Sequence, residues 1–241
     1  MNDIILTGGS GLLGLELRKL DDGIAAPPHE EFDAEDLCSM SNYLDSRKFA
    51  ILIHAAALTS PPVVNQKPTM ALRANILGTC NIVLLCQQLG LRLVYISTDY
   101  VFRGDKGGYS EDDELMPQNL YAWSKLGGEC AVRLYANSLI IRTSFCESRF
   151  PYDRAFVDQY TSRDSVKKIA PIIYRATKDK DLTGILHIGT RRKSVKELAV
   201  ELGKTDVGTL YREDVDFKVP HDTSFDLKKL EQYVNDEKYS S

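Results

Sequence analysis

The length, composition and charge of this chain are those of an ordinary globular protein. Its 241 residues are 43% hydrophobic and 27% charged, close to the averages of folded domains. These values exclude a disordered tail protein, a collagen-like fibre and a small disulfide scaffold. Lys and Arg number 30 against 34 Asp and Glu, a net charge of −4, so we expect no nucleic-acid partner and no acidic membrane surface. The longest apolar runs, about ten residues, are too short to span a bilayer.

The cysteines and histidines argue against disulfides and metal sites. The five cysteines are an odd number, and no two of them have CxxC spacing. Three of them, Cys80, Cys86 and Cys130, fall in helix-like segments, and the four histidines are scattered. We therefore expect reduced, mostly buried thiols, no metal, and a cytoplasmic protein.

Short apolar strands alternate with longer amphipathic helices over the first 145 residues. In chain order the sequence predicts strands at 4–6, 24–26, 50–57, 91–97 and 138–143, and helices at 12–20, 36–48, 68–90 and 119–137. Continuous apolar strands are typical of a sheet buried on both faces, and strand–helix alternation is typical of parallel βαβ units. The predicted fold class is therefore α/β, with a doubly wound parallel sheet.

The pattern loosens after about residue 145. Residues 148–163 are polar and aromatic with no clean period, and a helix at 165–180, a strand at 184–188 and a helix at 194–202 follow. We predict one domain over residues 1–145 and a smaller lobe over 146–241, with some segments of the lobe returning to the core of the first domain.

A glycine-rich turn joins the first predicted strand to the first helix. The segment TGGSGLLG, residues 7–14, places glycines at Gly8, Gly11 and Gly14. In the dinucleotide-binding fingerprint, the first glycine makes the tight turn, the second lets the backbone approach a pyrophosphate, and the third lets helix and strand pack closely. The amino end of the helix adds partial positive charge. The alternative is a glycine-rich turn without a ligand.

The choice between NAD and NADP stays open at this stage. Residues 27–31, after the second strand, read Pro-Pro-His-Glu-Glu. This segment offers neither a well-placed Asp for the ribose hydroxyls nor an Arg for a 2′-phosphate. Asp33 can bond the adenine edge, with an ordinary surface acid as the alternative.

Tyr121 and Lys125 lie four residues apart, on one face of a predicted helix. A lysine cation favours the phenolate form of a nearby tyrosine, and the phenol can then give its proton to a carbonyl oxygen as a hydride arrives at carbon. The spacing recurs at Tyr174 and Lys178. Only Tyr121 follows a strand-end hydroxyl, where sites of α/β proteins form.

A strand-end hydroxyl is the expected third member of this site. Ser97 and Thr98 are adjacent, and strand alternation lets only one of them face the site. We favour Thr98, whose hydroxyl would position a substrate carbonyl. An ordinary strand-end turn is the alternative.

With these residues in place, the chain resembles the extended short-chain dehydrogenase/reductases, and within them the dTDP-4-dehydrorhamnose reductase type. The landmarks are TGGSGLLG at 7–14, HAAALT at 54–59, NILGT at 75–79, STDYVF at 97–102, YAWSK at 121–125, IIRTS at 140–144 and a closing pattern at 220–230. The resemblance implies a Rossmann-type sheet, a shortened carboxyl-terminal substrate lobe, and hydride transfer from NADPH or NADH to the 4-keto group of a nucleotide-linked 6-deoxysugar.

The resemblance also implies roles for individual residues. Thr98, Tyr121 and Lys125 would form the catalytic triad. Tyr121 and Lys125 would also bind the cofactor, Lys125 at the nicotinamide ribose. The residues that would line the cofactor are Gly8, Ser10, Gly11, Leu12, Gly14, Ala55, Ala56 and Ala57. Tight strand packing is the alternative for the three alanines. The residues that would contact the sugar nucleotide are Thr59, Phe145, Arg149 and Arg163. The alternatives are a core position for Phe145 and solvated charges for the arginines.

Several features depart from the subgroup or point elsewhere. The chain is shorter than the family norm, and the loop at 60–65, SPPVVN, lacks the acidic residues that the family usually carries there. Tyr100, not Glu, follows Asp99, which disfavours the paired-carboxylate elimination of related dehydratases. The alternatives are a non-catalytic NADP-binding regulatory subunit, like that of methionine adenosyltransferase, and an NDP-sugar epimerase. A homodimer through the helices at 68–90 and 119–137 is also expected from the resemblance.

Overall fold

The computed structural model describes residues 3–45, 47–215 and 218–235. The chain forms two compact units, each built from separated segments. The first unit comprises Met1–Thr98, Asn119–Ile141 and Ala170–Ile185, and the second comprises Asp99–Gln118, Arg142–Ile169 and Leu186–Ser241, within the described residues. Residues 99–118 thus belong to the second unit and 170–185 to the first. The division into a domain at 1–145 and a substrate lobe at 146–241 stays a prediction.

The strands fall into one six-stranded sheet and three short pairs. Their bounds are β1 Ile4–Thr7, β2 Ile24–Ala25, β3 Ile51–His54, β4 Arg92–Thr98, β5 Ser138–Thr143, β6 Phe145–Cys146, β7 Arg154–Phe156, β8 Tyr160–Thr161, β9 Asp164–Ser165, β10 Gly184–Ile188, β11 Lys193–Ser194 and β12 Gly208–Leu210. The large sheet has the order β10-β5-β4-β3-β1-β2. Ile4 of β1 pairs in parallel with Ile24 and with Ile51, and Ile51 pairs in parallel with Arg92. The predicted α/β class with a doubly wound parallel sheet is confirmed.

The helices follow the strands in the alternation that the sequence predicts. Their bounds are α1 Leu12–Leu20, α2 Leu37–Leu44, α3 Pro61–Gln66, α4 Pro68–Ala71, α5 Gly78–Leu89, α6 Leu120–Val132, α7 Val166–Lys178, α8 Val195–Glu201 and α9 Lys228–Asn235. Side chains fix several helix starts by accepting backbone N–H bonds. Asp36 caps α2 through the amides of Cys38 and Ser39, and Asn119 caps α6 through the amide of Ala122.

A π-helical segment, Leu72–Leu77, joins α4 to α5, so the predicted long helix is a continuous Pro68–Leu89 element with an inserted irregular turn. Such π segments are rare and are often found at functional sites. The Pro68–Leu89 element has the length and apolar composition of a membrane span, and half of that stretch is buried. A core helix of a globular protein meets the same criterion, and the absence of a membrane partner stays a prediction.

The core of the first unit lies between the sheet and its helices. Leu52 and Leu93 of neighbouring strands pack with Ile82 and Leu85 of α5, and all four are almost fully buried. Burying such a side chain contributes roughly 1.5–3 kcal/mol. The returning segment 170–185 is tied to this unit by Arg92, whose guanidinium donates to the carbonyl of Leu182 at 2.6 Å.

The second unit is built from two- and three-residue strands. They pair as β6 with β9, β7 with β12 and β8 with β11. An aromatic cluster supports them, with Phe102 stacked on Tyr109 at 4.4 Å and His187 stacked on Phe225 at 4.3 Å between ring centroids. Strands this short carry no readable alternation, which explains why residues 148–163 show no clean period.

The expectation of mostly buried cysteines is wrong. Cys86 is buried, Cys38 and Cys130 are exposed, and Cys80 and Cys146 are partly buried. All five are free thiols. A helix-like pattern fixes only which residues share a face, and Cys130 lies on an outward position of α6.

Candidate cofactor and catalytic site

The glycine-rich turn follows β1 directly and leads into α1. Gly8 has a φ of 77°, a conformation that residues with a side chain rarely adopt. A Cβ at Gly8 would lie 2.7 Å from the amide nitrogen of Ala56. The packing of this turn against the end of β3 therefore leaves no room for a side chain at position 8. The amide of Gly11 donates to the carbonyl of Gly8 at 3.0 Å, and α1 begins at the next residue.

Gly14 brings the first turn of α1 against the loop. A Cβ at this position would overlap the carbonyl oxygen of Gly8 and lie 2.7 Å from the Cα of Gly9. The turn therefore places backbone amides at the amino end of a nine-residue helix, an arrangement suited to an anionic group. This glycine cradle has no room for a side chain at Gly8 or Gly14, and its backbone amides fit the pyrophosphate of a dinucleotide.

A cavity of about 430 Å³ opens beside the turn, within the first unit. Its lining residues are Thr7, Gly8, Gly9, Ser10, Pro27, Pro28, His29, Glu30, Phe32, Asp33, Ala34, Glu35, His54, Ala56, Ala57 and Ala74. The structure thus brings five of the predicted cofactor residues together at one cavity: Gly8, Ser10, Asp33, Ala56 and Ala57. Six others do not line it: Gly11, Leu12, Gly14, Ala55, Tyr121 and Lys125. The cofactor roles of all of them stay predictions.

A chain of buried hydrogen bonds runs from the end of β1 to the π segment. His54 Nδ1 lies 2.8 Å from Thr7 Oγ1, and His54 Nε2 lies 3.0 Å from Thr79 Oγ1. Thr79 donates its hydroxyl proton to the carbonyl of Asn75 at 2.8 Å, so it accepts from Nε2–H of the histidine. Burial, with the charge of Lys125 as a second cause, lowers the pKa of His54 to about 3. The imidazole is therefore neutral at physiological pH.

Asn75 extends this chain to the helix that carries the predicted catalytic pair. Its Oδ1 accepts from the amide of Leu58 at 2.8 Å, and its Nδ2 donates to Ser124 Oγ at 2.8 Å. The side chain is 1% exposed. It fixes the loop after β3 against α6 because both of its amide groups are engaged. The sequence marks Asn75 only as a family landmark, without a role.

Lys125 is buried on α6, one helical turn after Tyr121. Its side chain is 3% exposed, and its Nζ lies 4.2 Å from the ring centroid of Tyr95, a cation–π distance. Tyr95 in turn donates its hydroxyl to the Lys125 carbonyl at 3.0 Å. Burial lowers the pKa of the Lys125 ammonium to about 7, against the opposing effect of the Glu129 carboxylate. Lys125 can therefore gain or lose a proton near neutral pH.

The two adjacent hydroxyls at the end of β4 have different surroundings. Ser97 donates to the Glu129 carboxylate at 2.9 Å, so its side chain faces α6. Thr98 is the last residue of β4 and is 6% exposed; strand alternation directs it away from the Ser97 side. This arrangement favours Thr98 as the site hydroxyl, and its catalytic role stays a prediction.

Glu129 lies next to the predicted catalytic residues, and the sequence analysis does not predict it. It is fully buried and receives two bonds from Arg133, the shorter at 2.9 Å. It lies four residues after Lys125, as Lys125 lies four after Tyr121. The same i, i+4 rule that connects the first pair would have identified this third member of the helix face.

The predicted substrate residues lie in different units and are described separately. Thr59 is exposed in the first unit. In the second unit, Phe145 is half-buried in β6 and Arg149 is exposed, while Arg163 donates to Ser144 Oγ at 2.8 Å. Their roles toward a substrate stay predictions.

The second tyrosine–lysine match and the metal prediction have simpler outcomes. Tyr174 donates its hydroxyl to Asp21 at 2.7 Å, a contact that joins α7 to the end of α1.

Within residues 3–45, 47–215 and 218–235, no group of three or more His, Cys, Asp or Glu side chains is placed to hold a metal. The expectation of no metal stays a prediction.

Comparison with known proteins identifies relatives by sequence. A dTDP-4-dehydrorhamnose reductase of Mycobacterium tuberculosis is 32% identical over 153 residues, which cover 59% of this chain and 49% of that protein. Methionine adenosyltransferase 2 subunit beta of Rattus norvegicus is 32% identical over 140 residues, 54% of this chain and 42% of that protein. The chain spans about half the length of the curated relatives it matches.

Solved structures match over almost the whole chain. A hypothetical dTDP-4-dehydrorhamnose reductase from Sulfolobus tokodaii superposes with a TM-score of 0.85 at 27% identity, covering 97% of this chain and 95% of that one. The dTDP-4-dehydrorhamnose reductase of Bacillus anthracis in complex with NADP gives 0.86 at 26% identity, covering 97% and 92%. Residues 1–168 match the family described as the RmlD substrate binding domain. The chain therefore belongs to the RmlD substrate binding domain family.

Proposed function

We propose that this chain is an NADPH- or NADH-dependent oxidoreductase that reduces the 4-keto group of a nucleotide-linked 6-deoxysugar. The observation that carries the proposal is the buried Lys125 one turn after Tyr121, in the same compact unit as the glycine cradle. The names of relatives, dTDP-4-dehydrorhamnose reductases at 27–32% identity, support the substrate class.

Three residues of the first unit would each have a separate role in the reduction. When bound, the reduced nicotinamide supplies a hydride to the substrate carbonyl carbon. The phenol of Tyr121 donates its proton to the carbonyl oxygen, and Thr98 holds that oxygen by a hydrogen bond. The Lys125 ammonium favours the phenolate that Tyr121 leaves behind. With its pKa near 7, Lys125 can also return a proton to Tyr121 at neutral pH.

Turnover of a keto sugar tests this proposal. We expect oxidation of NADH or NADPH with a dTDP-4-keto-6-deoxyhexose, with or without a 3,5-epimerase. Tyr121→Phe should lower kcat at least 100-fold, the usual contribution of a general acid, while cofactor binding is retained. Tyr174→Phe is the matched control because it has the same spacing to a lysine, and it should keep its activity. Full activity of Tyr121→Phe would exclude the mechanism.

A regulatory subunit is the second candidate. Several relatives are methionine adenosyltransferase 2 subunit beta proteins at 32–33% identity, as similar as the reductases. In that case the chain would bind a nicotinamide cofactor, turn over none of several NDP-ketosugars, and co-sediment with a methionine adenosyltransferase. The epimerase alternative predicts NAD that stays bound through purification, visible in the absorbance of the purified protein.

We also propose that the protein forms a homodimer through the Pro68–Leu89 helix and α6. Several large apolar side chains are exposed there, among them Leu84 at 54% and Trp123 at 53%. Isolated exposed apolar residues are common, but several on two helices that contact each other are typical of an interface. Sedimentation should give a dimer for the natural chain and a monomer for Trp123→Glu; a monomeric natural chain would exclude the dimer. The cytoplasmic location stays a prediction.

A further inference from the structure

The cavity beside the glycine turn is acidic at the end formed by the segment after β2. Three carboxylates line it, those of Glu30, Asp33 and Glu35. No Lys or Arg is among the described lining residues, and the basic side chains there are the imidazoles of His29 and His54; burial lowers the pKa of His54 to about 3, so it is neutral. The glycine turn contributes Gly9 and Ser10, between Gly8 and Gly11, and neither carries charge.

Two basic groups close to this segment already contact carboxylates. His29 Nε2 lies 3.6 Å from Asp33 Oδ2. Arg73, which does not line the cavity, donates from Nε to Glu35 Oε2 at 2.7 Å. Glu30 is exposed at the cavity wall. A further anionic group placed here would therefore meet carboxylates and would have to displace an existing ion pair to gain a cation.

NAD and NADP differ only at the 2′ position of the adenosine ribose, which the segment after β2 contacts in dinucleotide-binding folds. NADP carries a 2′-phosphate, nearly two additional negative charges, for which proteins provide Arg or Lys. NAD carries a neutral 2′-hydroxyl, which can donate a hydrogen bond to a carboxylate. The pyrophosphate and the glycine turn are common to both cofactors, so they do not discriminate.

We infer that this cavity selects NADH over NADPH, and that Glu30 is a specificity-determining residue for that choice. The inference rests on the proposed cofactor-dependent function and adds the identity of the cofactor. It predicts a preference opposite to that suggested by the NADP in the Bacillus anthracis structure, because the discriminating charges belong to this chain's own residues 29–35.

Binding measurements test the inference without turnover. Titration calorimetry with NADH and NADPH should show at least a tenfold preference for NADH at low salt, and the preference should shrink as salt screens the exposed carboxylates. The probes 5′-AMP and adenosine 2′,5′-bisphosphate lack the nicotinamide and should show the same order. Equal affinities, or tighter binding of NADPH, would overturn the inference.

Two matched variants locate the effect. Glu30→Gln should raise the affinity for NADPH about threefold to tenfold while that for NADH changes less than twofold, since removing one nearby charge weakens repulsion by about that factor. Glu31→Gln makes the same change in net charge at an exposed neighbour outside the cavity lining, and should have a smaller effect. Equal effects of the two variants would overturn the role of Glu30.

The outcomes separate this inference from the proposed function. Equal binding of NADH and NADPH, together with reduction of a keto sugar, would overturn the inference and support the reductase. If neither dinucleotide binds and 5′-AMP does not bind either, the inference and the proposed function are both overturned.

Discussion

Gly127 and Gly128 of α6 provide a paired test of how tightly this helix must approach the π segment. A Cβ at Gly128 would lie 2.6 Å from the carbonyl oxygen of Asn75, 2.7 Å from the Tyr95 hydroxyl and 3.0 Å from Thr79 Oγ1. The three atoms nearest to a Cβ at Gly127 all belong to the Ile76 side chain, with Cδ1 at 2.7 Å, the far end of a flexible side chain.

The expected free energies follow from these neighbours. Glycine in a helix interior costs about 1 kcal/mol relative to alanine, so both substitutions gain that amount from helix propensity. At Gly128 the backbone of Asn75 must retreat by about 0.8 Å to reach ordinary contact distance, and overpacking of this kind costs roughly 1–3 kcal/mol or more. The Tyr95 hydroxyl must also move, which strains its bond to the Lys125 carbonyl, worth about 1 kcal/mol.

We therefore expect Gly128→Ala to lower the free energy of unfolding by about 1–3 kcal/mol and Gly127→Ala to change it by less than about 1 kcal/mol, in either direction. Urea denaturation followed by circular dichroism measures both. A Gly128→Ala protein as stable as Gly127→Ala would contradict the prediction, because it would show that α6 does not need this close approach to the π segment.

Three further predictions concern buried groups. Because burial lowers the pKa of Lys125 to about 7, the unfolded chain binds more protons between pH 7 and about 10.5; stability should therefore rise with pH in that window, by up to about 1.4 kcal/mol per pH unit. Urea unfolding at pH 6, 8 and 9.5 should show this slope, which Lys125→Met should lack. Gly14→Ala should abolish 5′-AMP binding and cost roughly 2 kcal/mol or more because the new methyl group meets the Gly8 carbonyl; calorimetry that still detects AMP would contradict this. Ser97→Ala leaves Glu129 with one donor fewer and should cost about 1–3 kcal/mol in thermal unfolding; an unchanged Tm would show that the bond contributes nothing.

The sequence predicted the parts of the site that local chemistry determines. The strand, glycine turn and helix at residues 4–20 follow from a short apolar run and three spaced glycines, and the β5 bounds at 138–143 match the prediction residue for residue. The identity of the buried partners could not be predicted in the same way. The contact between Ser97 and Glu129 spans 32 positions, and which of two adjacent hydroxyls faces a helix depends on register in the assembled sheet.

Other features escaped the sequence for different reasons. The helix α3, Pro61–Gln66, lies where the sequence indicates a loop. It begins with two prolines, and proline is favoured in the first turn of a helix. The π segment Leu72–Leu77 lies inside the helix predicted at 68–90, because apolar spacing identifies a helix without fixing the hydrogen-bond pattern of each turn. The strands of the second unit are two or three residues long, below the length at which alternation can be recognised.

The hydrogen bonds of His54 bear on the order in which the protein folds. They join residues 47 and 25 positions apart in the chain, so one forms only when β1 has docked on β3 and the other only when α5 has docked on β3. Closing such loops costs entropy before any contact repays it. The cavity beside the glycine turn, the proposed nucleotide site, is therefore a late product of folding, absent from any species that holds only local helices. A nascent or partly unfolded chain would bind no nucleotide, and nucleotide binding during refolding would report completion of the first unit.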